Sequence, residues 1–301
     1  MDKSFFDFHA DDYAVSSSSS LDIVHLAEKG VLDSISIIPN MSAFSSCTAA
    51  AGGDSLGFLK KSVHLNFMEG KSCLDRAEIP DLVDEEGFFK VSWGSLLIAN
   101  FNPAKRPKLK KQLSAEIIAQ VEKCIEAGLA DPMALRLDSH QHTHMIPMVQ
   151  DALFDAINHL EKQGRKVVFI RNTEDPISLY FRSWRLLRGF SPANMLKCII
   201  LNSFSFRLKK KLDERGLPIG YLCGVFYSGH MDHERLRVVL PLFEKLAKKK
   251  NRRVEVLFHP GRVKKEEITP EFTKPGFVQF HLSNNRHVEL DALCRLSGVS
   301  V

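Results

Sequence analysis

Short β-rich apolar runs alternate with segments of helical periodicity from one end of the chain to the other. Seven such runs stand out: Phe5 to Phe8, Ser34 to Ile38, Ser62 to Leu65, Ala134 to Leu137, Lys166 to Ile170, Cys223 to Phe226 and Arg253 to Phe258. This alternation is the pattern of successive βα units around a parallel sheet. We therefore expect an α/β chain with a (β/α) barrel-like fold of about seven parallel strands. With 301 residues, 44% of them hydrophobic, the chain can bury a substantial core as one domain spanning 1–301, and no internal repeat interrupts it.

The helices carry their own start and stop signals. The serine run Ser16 to Ser20 offers hydroxyl caps for a first helix that ends at Gly30. A second helix is expected over Ser114 to Ala127, and a third from Pro147 to Gly164. Asp232 to Lys249 is periodic too, but Pro241 inside it predicts a kink or break. Residues 67–111, interrupted by Gly, Pro and charge, read as an insertion with one short helix near Trp93 to Ala99.

Almost every predicted strand runs into a polar cluster at its C-terminal end. The first leads to His9, Asp11 and Asp12, and the third to His64 and Asn66. The fourth leads to Asp138, His140, His142 and His144, the fifth to Arg171, Asn172 and Glu174, the sixth to Tyr227 and His230, and the seventh to His259. In a parallel barrel these ends share one face, where active sites are built. An isolated Asp-Asp pair is an ordinary turn or cap, but two adjacent carboxylates at a strand end point in different directions. One is then free to bind a metal while the other acts as a base. Three imidazoles at alternate positions after the fourth strand suit an open divalent-metal site, although which of His140, His142 and His144 binds is left open. Pro260 holds His259 extended, aimed off its strand as a proton donor to a leaving amine, against the plainer reading of a buried hydrogen-bonded histidine. Arg171 and Glu174 read equally as a structural ion pair or as a clamp on substrate.

The ordered set His9-Ala-Asp-Asp-Tyr13, Val63-His-Leu-Asn66, Leu137-Asp-Ser-His-Gln-His-Thr-His144, Arg171-Asn-Thr-Glu174, Tyr227-Ser-Gly229 and Glu255-Val-Leu-Phe-His-Pro-Gly261 resembles the YdjC-like carbohydrate deacetylases, which include chitooligosaccharide deacetylases. The resemblance implies metal-dependent hydrolysis of the acetamido group of an N-acetylated sugar. By position, it implies Asp12, His64 and His140 as metal ligands and Asp11 as the base, with His259 protonating the amine. Asn66, His142, His144, Arg171, Glu174 and Tyr227 are then candidates for contacting the sugar. Mg²⁺ is the ion the resemblance points to, whereas two imidazoles also suit Zn²⁺. Ala14 stands where the family often has Gly, and the Pro frequently seen after the Arg171 position is absent. Alternatives are a metal-dependent phosphoesterase or amidohydrolase, which usually carries His-x-His at its first strand, and a non-catalytic sugar- or lipid-binding protein.

The six cysteines lack CxxC spacing, the N-terminus MDKSFFDFHADD shows no secretory leader, and no apolar run approaches the roughly 20 residues of a membrane span. We expect a cytoplasmic protein, with self-association undetermined. Net charge is +5, but eight cations fall between Ile177 and Leu212 with no acid among them, so the rest of the chain is net acidic. This segment (177–212) is also rich in aromatic and aliphatic residues, including Tyr180, Phe181, Trp184, Leu196 and Phe206. It reads as a helical cap over the barrel or as a peripheral membrane-docking segment that presents a lipid-linked sugar. Nothing resembles a nucleic-acid recognition motif.

Overall fold

The structure is a computed structural model that describes residues 2–52, 56–187 and 191–299. Its strands are β1 (Phe6–Tyr13), β2 (Ser34–Ile37), β3 (Lys60–Leu65), β4 (Leu135–Ser139), β5 (Val167–Ile170), β6 (Tyr221–Cys223) and β7 (Val254–Phe258). They form one sheet in the order β5-β4-β3-β2-β1-β7-β6, and every neighbouring pair is parallel. Parallel neighbours need crossovers, which helices supply. α1 (Ser17–Glu28) and α2 (Phe44–Gly52) follow β1 and β2, and α3 (Trp93–Asn100) and α4 (Arg106–Glu126) lie between β3 and β4. α5 (Pro147–Lys162) joins β4 to β5, and α6 (Trp184–Leu187) and α7 (Pro192–Glu214) lead to β6. α8 (His233–Lys250) returns to β7, which α9 (Pro275–His281) and α10 (Asn285–Ser297) follow.

The sheet is a half-barrel whose edge strands are β5 and β6. The segment after β5 ties the two edges, because Leu222 N–H donates to the Glu174 carbonyl at 2.9 Å and Asn172 Nδ2 donates to the Gly220 carbonyl at 3.3 Å. All C-terminal strand ends therefore open on one face, as the sequence pattern requires.

Local chemistry explains most boundaries. Ser16 caps α1 by accepting from Ser19 N–H, and Gly164 turns the chain after α5 at φ 82°. α4 begins at Arg106, with Pro107 in its first turn, so the irregular insertion ends earlier than its charge pattern suggests. α8 runs through Pro241 as one element, because Leu236, Val239, Leu240, Phe243 and Ala247 bury a continuous stripe on both sides of it. β6 is only three residues long and begins at Tyr221 rather than Cys223. β1 departs furthest from expectation: it continues through His9, Asp11 and Asp12 to Tyr13, buried throughout. It lies inside the sheet, between β2 and β7, so its polar residues find partners on both sides.

Candidate active site

Pairing of β1 with β2 slips between Ala10 and Tyr13, where Asp12 takes φ 66°. A bulge of this kind re-aims side chains, and Asp is among the residues that tolerate the left-handed region. Asp11 and Asp12 consequently meet different neighbours. Asp11 accepts a bidentate fork from Arg171, Nη1 to Oδ2 at 2.9 Å and Nη2 to Oδ1 at 2.8 Å. Asp12 Oδ2 accepts from Arg286 Nη1 at 2.8 Å, while its Oδ1 faces His140 Nδ1 at 3.0 Å and His64 Nε2 at 3.6 Å. His64 Nδ1 pairs with Asp138 Oδ1 at 2.6 Å, which turns Nε2 toward both β1 carboxylates.

Asp12, His64 and His140 thus bring one oxygen and two nitrogens within 4.8 Å of one another. This donor set fits a divalent cation, and a carboxylate behind an imidazole is the usual device that fixes the tautomer of a metal-binding histidine. The groups Asp11/His64/Asp138 and His9/Asp138/Glu255 meet the same distance. There the buried Arg171 already supplies the positive charge, donating to Asp11 and Glu255 and standing 3.1 Å from Asp138.

Electrostatics favour the same cluster. Burial alone would raise the Asp11 and Asp12 carboxyls, yet Arg171 and His64 hold Asp11, and His140 and Arg286 hold Asp12, well below the usual carboxylate range. Burial would keep the imidazoles neutral, but Asp11 and Asp138 push His64 up to about 10, and Asp12 and Glu69 push His140 up to about 9. A cluster that retains two imidazolium protons at neutral pH stabilises positive charge strongly.

The cluster lies in a cavity of about 590 Å³, whose polar lining includes Asp11, His64, His140, His142, Lys197 and His259. Trp93, Leu196, Ile200, Phe277 and Phe280 are among its apolar walls. Gln141 and His142 occupy consecutive left-handed positions, φ 55° and 57°, a conformation that non-glycine residues adopt at a cost and that often marks functional sites. Burial, and then Lys197, hold the His142 imidazole neutral, well below its ordinary range. His259 comes off the end of β7, its backbone N–H donates to Glu289 Oε2 at 2.6 Å, and its ring stands edge-on to Phe280 at 5.5 Å.

The family model for YdjC-like proteins matches residues 8–297, from β1 through α10. The chain belongs to the YdjC-like family. A carbohydrate deacetylase of Brevibacillus brevis is 27% identical over 141 residues, 47% of this chain and 50% of that protein. The matched stretch therefore spans half the length of that relative. A crystal structure of an Enterococcus faecalis protein named for cellobiose-phosphate cleavage shares the fold, with a TM-score of 0.60 at 17% identity over 98% of this chain and 95% of that one.

Several polar residues of this YdjC-like chain lie away from the cavity lining. Asn66 builds the turn after β3: its amide donates to Asn40 Oδ1 and the Glu69 carbonyl, and its Oδ1 accepts from Met68 and Glu69 N–H. His144, which burial pushes down to about 4, bridges Ser139 Oγ and the Arg171 carbonyl. Glu174 pairs with Lys209 and Arg252, and Tyr227 packs edge-on against Tyr180 and Phe226. Arg171 is paired with Asp11, Asp138 and Glu255, so Arg171 and Glu174 are not each other's partners.

Other residues at the site gave no signal in the sequence. Glu69 Oε2 stands 3.5 Å from His140 Nε2 and 3.0 Å from His281 Nε2, and His281 Nδ1 is 3.5 Å from Arg286 Nη1. Asp12, His140, Glu69, His281 and Arg286 thereby close a ring of five buried ionisable side chains. Glu69 lies in the insertion and the last two on α9 and α10, segments whose sequences read as ordinary loop and helix. Glu255 was detectable in principle, as a lone carboxylate inside an apolar strand.

Proposed function

We propose that this protein hydrolyses the acetamido group of an N-acetylated sugar in a metal-dependent reaction. The observation that carries this reading is the division of labour within Asp11-Asp12: Asp12 belongs to the cation-binding cluster, while Asp11 lines the same cavity as His259. A divalent ion held by Asp12, His64 and His140 would bring the pKa of a bound water toward ~7 and polarise the acetyl carbonyl. Asp11, kept ionised and oriented by Arg171, accepts the water's proton. His259, whose backbone is anchored by Glu289, donates a proton to the departing amine. His142 and Lys197 line the same cavity and would contact the acetyl or hydroxyl groups. Aromatic walls suit the C–H face of a sugar, whereas Leu196 and Ile200 suit hydrocarbon; this favours a lipid-linked N-acetylhexosamine over a free oligosaccharide.

Acetate release from N-acetylglucosamine oligomers and lipid-linked N-acetylhexosamines tests the reading. A positioned base is worth ~10²–10⁴ in rate, so Asp11→Ala should lose at least that factor while keeping its fold. Near wild-type turnover by Asp11→Ala would remove Asp11 from the mechanism. Elemental analysis followed by chelation and add-back distinguishes Mg²⁺, favoured by family resemblance, from Zn²⁺.

A further inference from the structure

We propose that α7 docks this protein on a bilayer surface, so that a membrane-anchored sugar enters the cavity from the lipid side. Leu196, Ile199 and Phe206 fall on one stripe of the helix and are 58%, 49% and 70% exposed. Leu196 also lines the cavity, together with Ala193, Lys197 and Ile200 of the same helix, so the apolar wall inside continues onto the outer surface. Phe181 and Trp184, just before α7, are exposed as well. Large apolar groups are rarely left in water in such a row without a partner to cover them.

The charges around the stripe identify the partner. Of the eight cations in 177–212, Arg207 and Lys211 pair with Asp151, Lys209 with Glu174, and Lys210 with Glu214. Lys197 points into the cavity, and Arg188 lies outside the described residues. Arg182 and Arg185 remain, exposed and without an ion pair among the described residues, beside Phe181 and Trp184. Guanidinium groups interleaved with aromatic rings, in the segment just before the helix that carries the apolar stripe, match the interfacial zone of an anionic membrane. A protein partner seated on Leu196 would cover the mouth of the cavity, whereas a fluid bilayer covers the stripe and delivers substrate through the same opening.

The inference rests on the deacetylase reading only for the identity of what is delivered, and co-sedimentation of the full chain tests it separately. Phosphatidylcholine vesicles with and without phosphatidylglycerol serve as probes at low salt. Wild-type protein should pellet with both, more with the anionic vesicles. Ile199→Ser/Phe206→Ser should lower partitioning roughly tenfold or more through lost apolar burial. It should also release acetate from soluble N-acetylglucosamine oligomers at the wild-type rate, since neither residue lines the cavity. Arg182→Ser/Arg185→Ser should reduce binding to anionic vesicles to the level seen with neutral ones. Wild-type protein left in the supernatant with anionic vesicles overturns the proposal, as does a double Ser variant that pellets normally. Loss of self-association in that variant, with no vesicle binding by the wild type, would instead assign the stripe to a second copy of the chain. Vesicle binding without acetate release leaves the docking surface standing and removes the deacetylase reading; acetate release without vesicle binding does the reverse.

Discussion

His64 is buried with one ring nitrogen already committed. Asp138 occupies its Nδ1, so only Nε2 is presented to the Asp12 cluster. Loss of such a backing carboxylate typically costs 10–100-fold in metal affinity. Asp138→Asn should therefore weaken Zn²⁺ or Co²⁺ binding by roughly that factor in calorimetric titration, with far-ultraviolet circular dichroism unchanged; unaltered affinity would show that Asp138 serves only Arg171 and Ser36. Protons make a second test. With no cation present, His64 (about 10) and His140 (about 9) are both charged at neutral pH, well above their ordinary 6.5. Their contribution to stability is then complete below the unfolded value and is lost as pH rises through about 9 and 10. A metal ion must expel both protons, so the logarithm of its association constant should climb by about two per pH unit between roughly 6.5 and 8.5. Affinity that is flat over this range would mean that the imidazoles are already neutral.

Among the elements, the turn after β7 is tightly constrained. Gly261 sits at φ 83°, and a Cβ there would lie 2.7 Å from the Ser19 carbonyl oxygen and 2.9 Å from Asp22 Cβ, both on α1. Its own carbonyl accepts from Arg286 Nε at 2.6 Å. Gly261→Ala combines a left-handed alanine with a clash against helix backbone, so thermal or urea unfolding should show a loss of at least about 2 kcal/mol. A variant within about 0.5 kcal/mol of wild type would mean that α1 yields easily, as ordinary surface substitutions do. The Phe-His-Pro-Gly motif thus marked a real constraint that the sequence could show without its cause. Likewise, the motifs that carry Asp12, His64 and His140 stood out because each is compact and lies at a strand end, although only the family resemblance singled out His140 among the three imidazoles. Arg286, His281 and Glu289 were not, because their roles depend on α9 and α10 folding back over the end of β7. Nor could the acid-free window 177–212 show by itself that Asp151 and Glu174, outside it, pair with Arg207, Lys209 and Lys211.

At the scale of the whole molecule, strand periodicity was enough to anticipate a barrel-like sheet of about seven parallel strands with its polar groups on one face. It could not show that β1 would lie inside the sheet between β2 and β7, and that position turns its polar tail into buried strand. The ring from Asp12 through His140, Glu69 and His281 to Arg286 ties together β1, the stretch after β3, the turn after β4, α9 and α10. On the ribosome these pieces emerge in order, and Arg286 comes 274 residues after Asp12. A nascent chain that has displayed Asp12, His64 and His140 still lacks the guanidinium that balances Asp12, so the cluster is completed only once α10 has emerged.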